Sequence, residues 1–434
     1  MKIAMPILDL PTESKMSGGY IVHAMANAYV RRGHYVCVFS PCAKPDNGLY
    51  DYRKVDAQKP LRTFRFAWNL RKIDFSGFDI IHAQGDDYWL WGKHFPFHIR
   101  TMHGSCLVEA FKISGVKNKL RMLLLYGSEI LATLVADKTV CVSKNTIKYY
   151  PWLKTVIPNG VDVASFAAMQ EQEQKSDSGN QNLETNRSVA SQNNMIIDHC
   201  SLINEKYSMA KCPQPQSTQS AKSVDDSCPV SVTSSETISP NSSPSVSSVS
   251  SVAKSSIPTI LFVGTYGNRK RGKLLIEIFA RDILPKLPAA QLWMVCSDAP
   301  PAANVSVLGR ISQQELINRY RRAWAFCLPS TYEGFGIPYI EAMAAGTAVV
   351  ASPNVGAVEV TRNGQDGLVV ADDKLGQTLL QVLTDETLRH KLEAAGLERV
   401  KDFDLNKVCE QYEEIYTGLI KKNNPSTDYA DDAD

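Results

Sequence analysis

The chain has no CxxC pair and no cluster joining cysteine to histidine, although it carries ten cysteines in 434 residues. Scattered single thiols argue against a structural zinc site. They fit a reduced compartment in which residues such as Cys327 pack as small hydrophobes. Net charge is also scarce, at only +2, which argues against bulk attraction to nucleic acid. Long apolar runs are missing too. The most apolar neighbourhood, LRMLLLYGSEILATLVA at 120–136, is broken by Arg121 and Glu129 and predicts a helix rather than a membrane span. The opening MKIAMPILDLP is apolar over too short a stretch for a signal peptide and predicts a buried first strand. The expected location is cytoplasmic.

What is present is an alternation of short β-rich runs with helical stretches. Lys2–Ile7, His34–Phe39, Asp79–Ala83, Ile99–Met102 and Lys138–Val142 read as strands. Helices are expected at 19–32, stopped by Gly33, and at 118–136. The pattern resumes with strands at Thr259–Val263, Gln291–Val295, Val305–Leu308, Ala325–Leu328, Ala348–Ala351 and Gly367–Val370. Helices are expected between them near 273–287, 312–323 and 338–345, with others after 374. Such alternation predicts an α/β chain of two Rossmann-like, doubly wound domains with a ligand cleft at the carboxyl ends of their strands. The expected domains are 1–162 and 257–404. Between them, 163–256 is serine-rich: roughly half of 231–256 is serine, and Tyr207 is the only aromatic from 167 to 256. That segment is expected to be disordered. The acidic stretch 422–434 is expected to be a frayed tail.

EGFGIPYIEAMAAG, at 333–346, is the most informative stretch. Pro338 suits the first turn of a helix, which would place Glu341 in that turn. Gly334-Phe335-Gly336-Ile337 would form the turn leading in, with backbone N–H groups of Phe335, Gly336 and Ile337 free to bind a diphosphate. Two carboxylates beside a diphosphate make sense only if they point elsewhere, accepting hydrogen bonds from sugar hydroxyls. A nucleotide-sugar has one sugar on each flank of its diphosphate. The bland alternative is an acid favouring a helix N-terminus. In FVGTYGNRKRGK, at 262–273, a strand runs into a loop rich in cations that could neutralise a leaving nucleoside diphosphate without a metal.

Glu333 and Glu341 within STYEGFGIPYIEAMAAGTAVVAS resemble the signature of family-four retaining glycosyltransferases. So do SGGYIVHAMANAYVRRGHYVCVFS, DIIHAQ, TMHG, VCVSKNT, VIPNGVD and FVGTYGNRKRG, in the right order. The resemblance implies the fold called GT-B and transfer of a sugar from a UDP- or GDP-linked donor to an acceptor hydroxyl with retention, needing no cofactor and no metal. In that account the departing phosphate itself takes the acceptor's proton. It further implies that Glu333 holds the donor sugar's hydroxyls, Glu341 the ribose, and His103 the hexose near the reacting carbon. Gly18 or Gly19 would let the first domain approach the phosphates. The family usually has an arginine where Thr265 stands and a lysine where Arg271 stands. Arg271 is therefore expected on the phosphates, with Arg269 or Lys270 replacing the missing arginine and Arg310 near the base. Asn159–Asp162 would be the interdomain hinge, His82 structural, and a last helix at 405–421 would cross back onto the first domain.

The acceptor is expected to be a saccharide or a lipid-linked molecule. Basic residues at 112, 117, 119 and 121 beside the apolar helix leave peripheral contact with the inner membrane face open. Three alternatives share the fold or part of it: a sugar-nucleotide epimerase, a non-catalytic partner subunit, and a nicotinamide-dependent oxidoreductase. The last would want GxGxxG, which Gly264, Gly267 and Gly272 do not supply.

Overall fold

The structure, a computed structural model, describes residues 1–11, 19–59, 61–90, 96–112, 115–166 and 254–423. Most of the serine-rich segment, most of the acidic tail, and Gly18 lie outside the described residues. The described residues all fall in one compact unit.

Two parallel sheets organise that unit. The first has the order β3-β2-β1-β4-β5-β6-β7. Its strands are β1 (Lys2–Pro6), β2 (Tyr35–Ser40), β3 (Asp51–Lys54), β4 (Ile80–Ala83), β5 (Phe97–Met102), β6 (Lys138–Cys141) and β7 (Thr155–Val156). The second has the order β10-β9-β8-β11-β12-β13. Its strands are β8 (Thr259–Val263), β9 (Gln291–Val295), β10 (Val305–Val307), β11 (Ala325–Leu328), β12 (Ala348–Ala351) and β13 (Leu368–Val369). Central strands such as β4 and β11 are buried along their whole length, because helices cover both faces of a parallel sheet. In each sheet the winding reverses once, between β1 and β4 and between β8 and β11.

Helix α1 (Gly19–Arg31) buries Val22, Met25, Ala26, Ala28 and Tyr29 against the first sheet. Gly33, at φ 84°, ends it, with its N–H bonded to Val30 O. Further helices of the first sheet are α2 (Arg62–Leu70), α3 (Cys106–Lys112), α4 (Val116–Val135) and α5 (Lys144–Ile147). Those of the second are α6 (Gly272–Ile278), α7 (Gln313–Arg322), α8 (Ile337–Ala344), α9 (Val355–Val360), α10 (Asp372–Thr384) and α11 (Glu386–Val400). Ser312, Asn354 and Asp385 cap α7, α9 and α11 by accepting from backbone amides three residues on. The last helix, α12 (Leu405–Asn423), returns to the first sheet. There Leu405, Val408, Cys409, Tyr412 and Tyr416 pack with Ile3, Met5 and Val22.

The edges of the expected disordered segment are bound. Phe166, 3 % exposed, packs into the core of the second sheet. Lys254 Nζ donates to Ala323 O (3.0 Å) and Gly346 O (2.8 Å), and Trp324 Nε1 donates to Ser255 O (2.7 Å). Composition alone does not register such single anchors within a polar run. Strands β3 and β7 and helices α2, α3, α5 and α9 were not among the expected elements, being short or lacking a clear apolar period.

Candidate functional site

The two winding reversals meet in one cavity of about 580 Å³. At a reversal, the connections leaving adjacent strands go to opposite faces, which opens a crevice beyond the strands' carboxyl ends. The first sheet lines the cavity with Ile7 and Asp9 after β1, Gln84 and Asp86 after β4, and His103 and Gly104 after β5. The second lines it with Arg269 and Lys270 after β8 and the stretch Tyr332–Pro338 after β11, followed by Glu341. Glu333 and Glu341 thus face one space.

The turn between them is fixed from several sides. Ser330 Oγ donates to Tyr332 O (3.0 Å), and Arg269 Nη1 donates to the same carbonyl (2.7 Å), so basic loop and acidic turn are latched together. Gly336 has φ 99°, and a Cβ there would fall 2.4 Å from the Tyr339 ring. A Cβ on Gly334 would fall 2.8 Å from His103 O, so this glycine lets the two lobes touch. The Phe335 ring is buried against Phe403 at 5.5 Å, leaving the backbone of Phe335 to the cavity. Among the described residues no hydrogen bond is donated by the amides of Phe335, Gly336 or Ile337. Helix α8 begins at Ile337, one residue before Pro338, which puts Glu341 in the second turn rather than the first. That position, with only 6 % exposure, removes the helix-terminus explanation for Glu341, since the dipole acts within the first turn. Tyr320 OH donates to Glu341 Oε2 (3.0 Å), and burial pushes the carboxyl up to about 7.

The cations divide differently from expectation. Lys270 Nζ lies 2.8 Å from Glu333 Oε1 and Arg269 Nη1 lies 3.3 Å from Oε2, and both line the cavity. Burial pushes the Lys270 ammonium down, while Glu333 opposes that shift. Arg271, expected on the phosphates, is not among the lining residues. It sits in the left-handed region at φ 54°, and its guanidinium grips Asp372 through two nitrogens (2.6 and 2.9 Å) and donates through Nε to Pro329 O (2.5 Å). Arg310, after the left-handed Gly309 at φ 66°, is exposed and also absent from the lining. A pattern in sequence gives the loop's charge but not the direction of each side chain.

On the facing lobe, Gly19 lines the cavity, and a Cβ there would overlap Asp9 O. His103 also lines it, and its Nε2 pairs with Gln84 Oε1 at 2.9 Å. Burial and the nearby Arg100 push the imidazole down to about 4, against a hydrogen bond with the Asn159 side chain, so it is neutral near pH 7. Asp86 follows Gly85 with φ 59°, and burial pushes its carboxyl up to about 6. Gln84, Asp86, Asp9, Tyr20, Glu109 and Asn159 line the cavity without having been singled out as site residues. For Gln84 and Asp86 the available signal was position: they directly follow the strand DIIHA at the reversal. Asn159, expected only as a hinge, is buried and faces the site.

Residues 18–165 match the family model described as Glycosyltransferase Family 4, and 248–399 match that described as Glycosyl transferases group 1. A phosphatidyl-myo-inositol mannosyltransferase of Mycobacterium tuberculosis is 33 % identical over 175 residues, covering 36 % of this chain and 46 % of that protein. A GDP-mannose-dependent monoacylated alpha-(1-6)-phosphatidylinositol monomannoside mannosyltransferase of Corynebacterium glutamicum is 38 % identical over 108 residues, 23 % of this chain and 28 % of that one. The chain therefore spans less than half the length of these curated relatives. In fold, a sucrose-phosphate synthase from Thermosynechococcus elongatus superposes with a TM-score of 0.65 at 18 % identity, covering 97 % of this chain and 99 % of the other. The two facing parallel sheets are those of the GT-B architecture. With one family model on each lobe, the chain belongs to glycosyltransferase family 4.

Proposed function

We propose that the protein transfers a hexose from a nucleoside-diphosphate-sugar to an acceptor hydroxyl with retention of anomeric configuration. One observation carries this reading: Glu333 and Glu341 line a single cavity, separated by a turn whose amides are free to donate. Glu333 binds hydroxyls of the transferred sugar, Glu341 those of the ribose, and the amides of Phe335, Gly336 and Ile337 bind the phosphates. Lys270 and Arg269 offset the charge that grows on the leaving group, in place of a metal ion. Arg271 serves one layer back, holding the loop through Asp372. His103 touches the donor sugar. The acceptor oxygen bonds to the anomeric carbon while the bond to the phosphate oxygen breaks. Its electron pair stays on the phosphate, which takes the acceptor's proton on the same face.

The relatives named as mannosyltransferases, one of them GDP-mannose-dependent, make GDP-mannose the first donor to try. A thermal-shift panel of UDP-, GDP- and ADP-sugars tests the donor site, because a ligand that binds the native state raises its melting temperature. Absence of a shift with every donor sinks the reading. Replacing Glu333 by Ala should lower transfer roughly a hundred-fold while free nucleoside diphosphate still binds. An epimerised sugar appearing without any acceptor would favour the isomerase instead.

The acceptor is proposed to be lipid-linked and met at an anionic membrane surface. Helix α4 buries Met122, Leu125, Glu129 and Ala132. Its opposite face carries exposed Leu120, Leu124, Leu131 and Leu134 at alternating four- and three-residue spacing, a continuous apolar stripe with Gly127 completing the repeat. Lys117, Lys119 and Arg121 are exposed along the first half of the helix, and Phe111 of α3 is 78 % exposed. An apolar stripe flanked by cations suits headgroup-level insertion into anionic lipid. No helix of the described residues is long and apolar enough to cross a membrane. Flotation with phosphatidylglycerol vesicles should carry the protein at low salt, and Leu124→Glu with Leu131→Glu should abolish it. A concentration-dependent dimer that never floats would assign the stripe to a second copy and overturn the membrane reading.

A further inference from the structure

A run of hydrogen bonds links His103 to the C-terminal helix. Tyr29 OH lies 2.9 Å from Tyr416 OH, which lies 2.6 Å from His82 Nδ1. On the far side of the ring, His82 Nε2 is 2.8 Å from Thr101 Oγ1 and 2.9 Å from Gln84 Nε2. Gln84 Oε1 then meets His103 Nε2 at 2.9 Å. Tyr412 OH closes the side branch, 2.9 Å from Thr101 Oγ1. Tyr29, His82, Gln84, Thr101, Tyr412 and Tyr416 are all buried.

Donors and acceptors in this run fit one polarity. An amide nitrogen only donates, so His82 Nε2 must offer a lone pair. Met25 Sδ, an acceptor, lies 3.9 Å from the same amide nitrogen and supports that orientation of Gln84. His82 then carries its proton on Nδ1 and donates to Tyr416 OH, which donates to Tyr29 OH. The amide oxygen only accepts, so His103 carries its proton on Nε2. Burial pushes His82 down to about 3 and His103 down to about 4, so both rings are neutral and the open question is which nitrogen bears the proton.

We propose that Gln84 is a positioning residue that fixes His103 as the Nε2–H tautomer, so that Nδ1 offers a lone pair to the donors facing it, a substrate hydroxyl beside the Asn159 side chain that bonds the same ring. The inference rests on the sugar transfer proposed above. His82 sets the direction of the amide, and α12 sets His82. An accepting ring selects a hydroxyl and disfavours a phosphate or carbonyl oxygen, which could only accept in turn. A reversed amide would invert both imidazoles.

Long-range proton–nitrogen NMR on the full chain labelled with nitrogen-15 histidine reads the tautomer directly, with the His103 signals assigned by their loss in His103→Ala. The wild type should show Nε2 protonated and Nδ1 bare. Gln84→Leu removes the polar partner, so His103 should shift toward a tautomer mixture, and kcat for transfer should fall about ten-fold or more with a smaller change in donor KM. Gln84→Glu still accepts from Nε2–H, so it should keep the tautomer and recover part of kcat. A wild-type ring protonated at Nδ1, or a Gln84→Leu ring still held at Nε2–H, overturns the proposal. So does a Gln84→Leu enzyme with wild-type kcat. The nucleoside diphosphate melting shift serves as the folding control for each variant. Failure of sugar transfer in the wild type would instead sink the proposed function, because the NMR readout does not depend on turnover.

Discussion

Lys270 Nζ sits 2.8 Å from Glu333 Oε1, with their side chains only 15 % and 7 % exposed. A carboxylate this buried needs its charge matched, and this lysine supplies the match from the neighbouring strand end. Lys270→Ala would leave Glu333 with Arg269 alone, whose side chain is 50 % exposed. Transfer should fall roughly a hundred-fold and the melting shift with nucleoside diphosphate should shrink. Initial rates and thermal shifts measured side by side decide the matter, and wild-type values in both would remove Lys270 from the site.

Arg271 and Asp372 should behave as a structural pair. Arg271→Ala and Asp372→Asn are each expected to lower stability by about 1 kcal/mol, discounted because both side chains are partly exposed. The double variant should cost less than the sum, since each single change already breaks the same contact. Urea unfolding of the four proteins gives the coupling. Strict additivity would show that the two do not act together.

Glu341 makes stability depend on pH. Its carboxyl is raised from the ordinary 4.5 to about 7, mainly by burial. The native state therefore favours the protonated form. Its contribution is fully present below pH 4.5 and is lost as pH rises through about 7. Glu341→Gln keeps an acceptor for Tyr320 OH and cannot ionise. Its melting temperature relative to wild type should climb between about pH 4.5 and 7 and then level off. A difference that stays flat across that window would contradict the burial of a titrating acid.

Gly334→Ala tests the contact between lobes. The added methyl would fall 2.8 Å from His103 O, which is backbone and cannot swing aside. The lobes must part, or the turn must shift, by several tenths of an ångström. Transfer should drop at least ten-fold through misplacement of Glu333 relative to His103, with far-ultraviolet circular dichroism unchanged. Full activity would mean that the two lobes do not meet here during turnover.

Much of this was legible in the chain. Strand runs such as TILFV, AFCL and AVVA match β8, β11 and β12 at both ends, because a short apolar run between turn residues has few other outcomes. The turn EGFG was legible as well, since glycines on either side of a buried phenylalanine leave little choice but a backbone-lined approach to α8. The start of α8 was read one residue late, and that shift moved Glu341 from the helix terminus into its buried second turn.

The sequence by itself determined the order of the longer elements, the doubly wound class of each half, and the acids and cations placed near the strand ends, since these follow from local periodicity and turn chemistry. Only the tertiary structure decided which cations face the cavity. Arg269 and Lys270 turn to Glu333, while Arg271 turns to an aspartate a hundred and one residues away. It also joined His82, Gln84 and His103 to Tyr416, more than three hundred residues distant from His82. Such partners are chosen by packing between segments remote in sequence, and the direction of a long side chain is fixed only when that packing is complete.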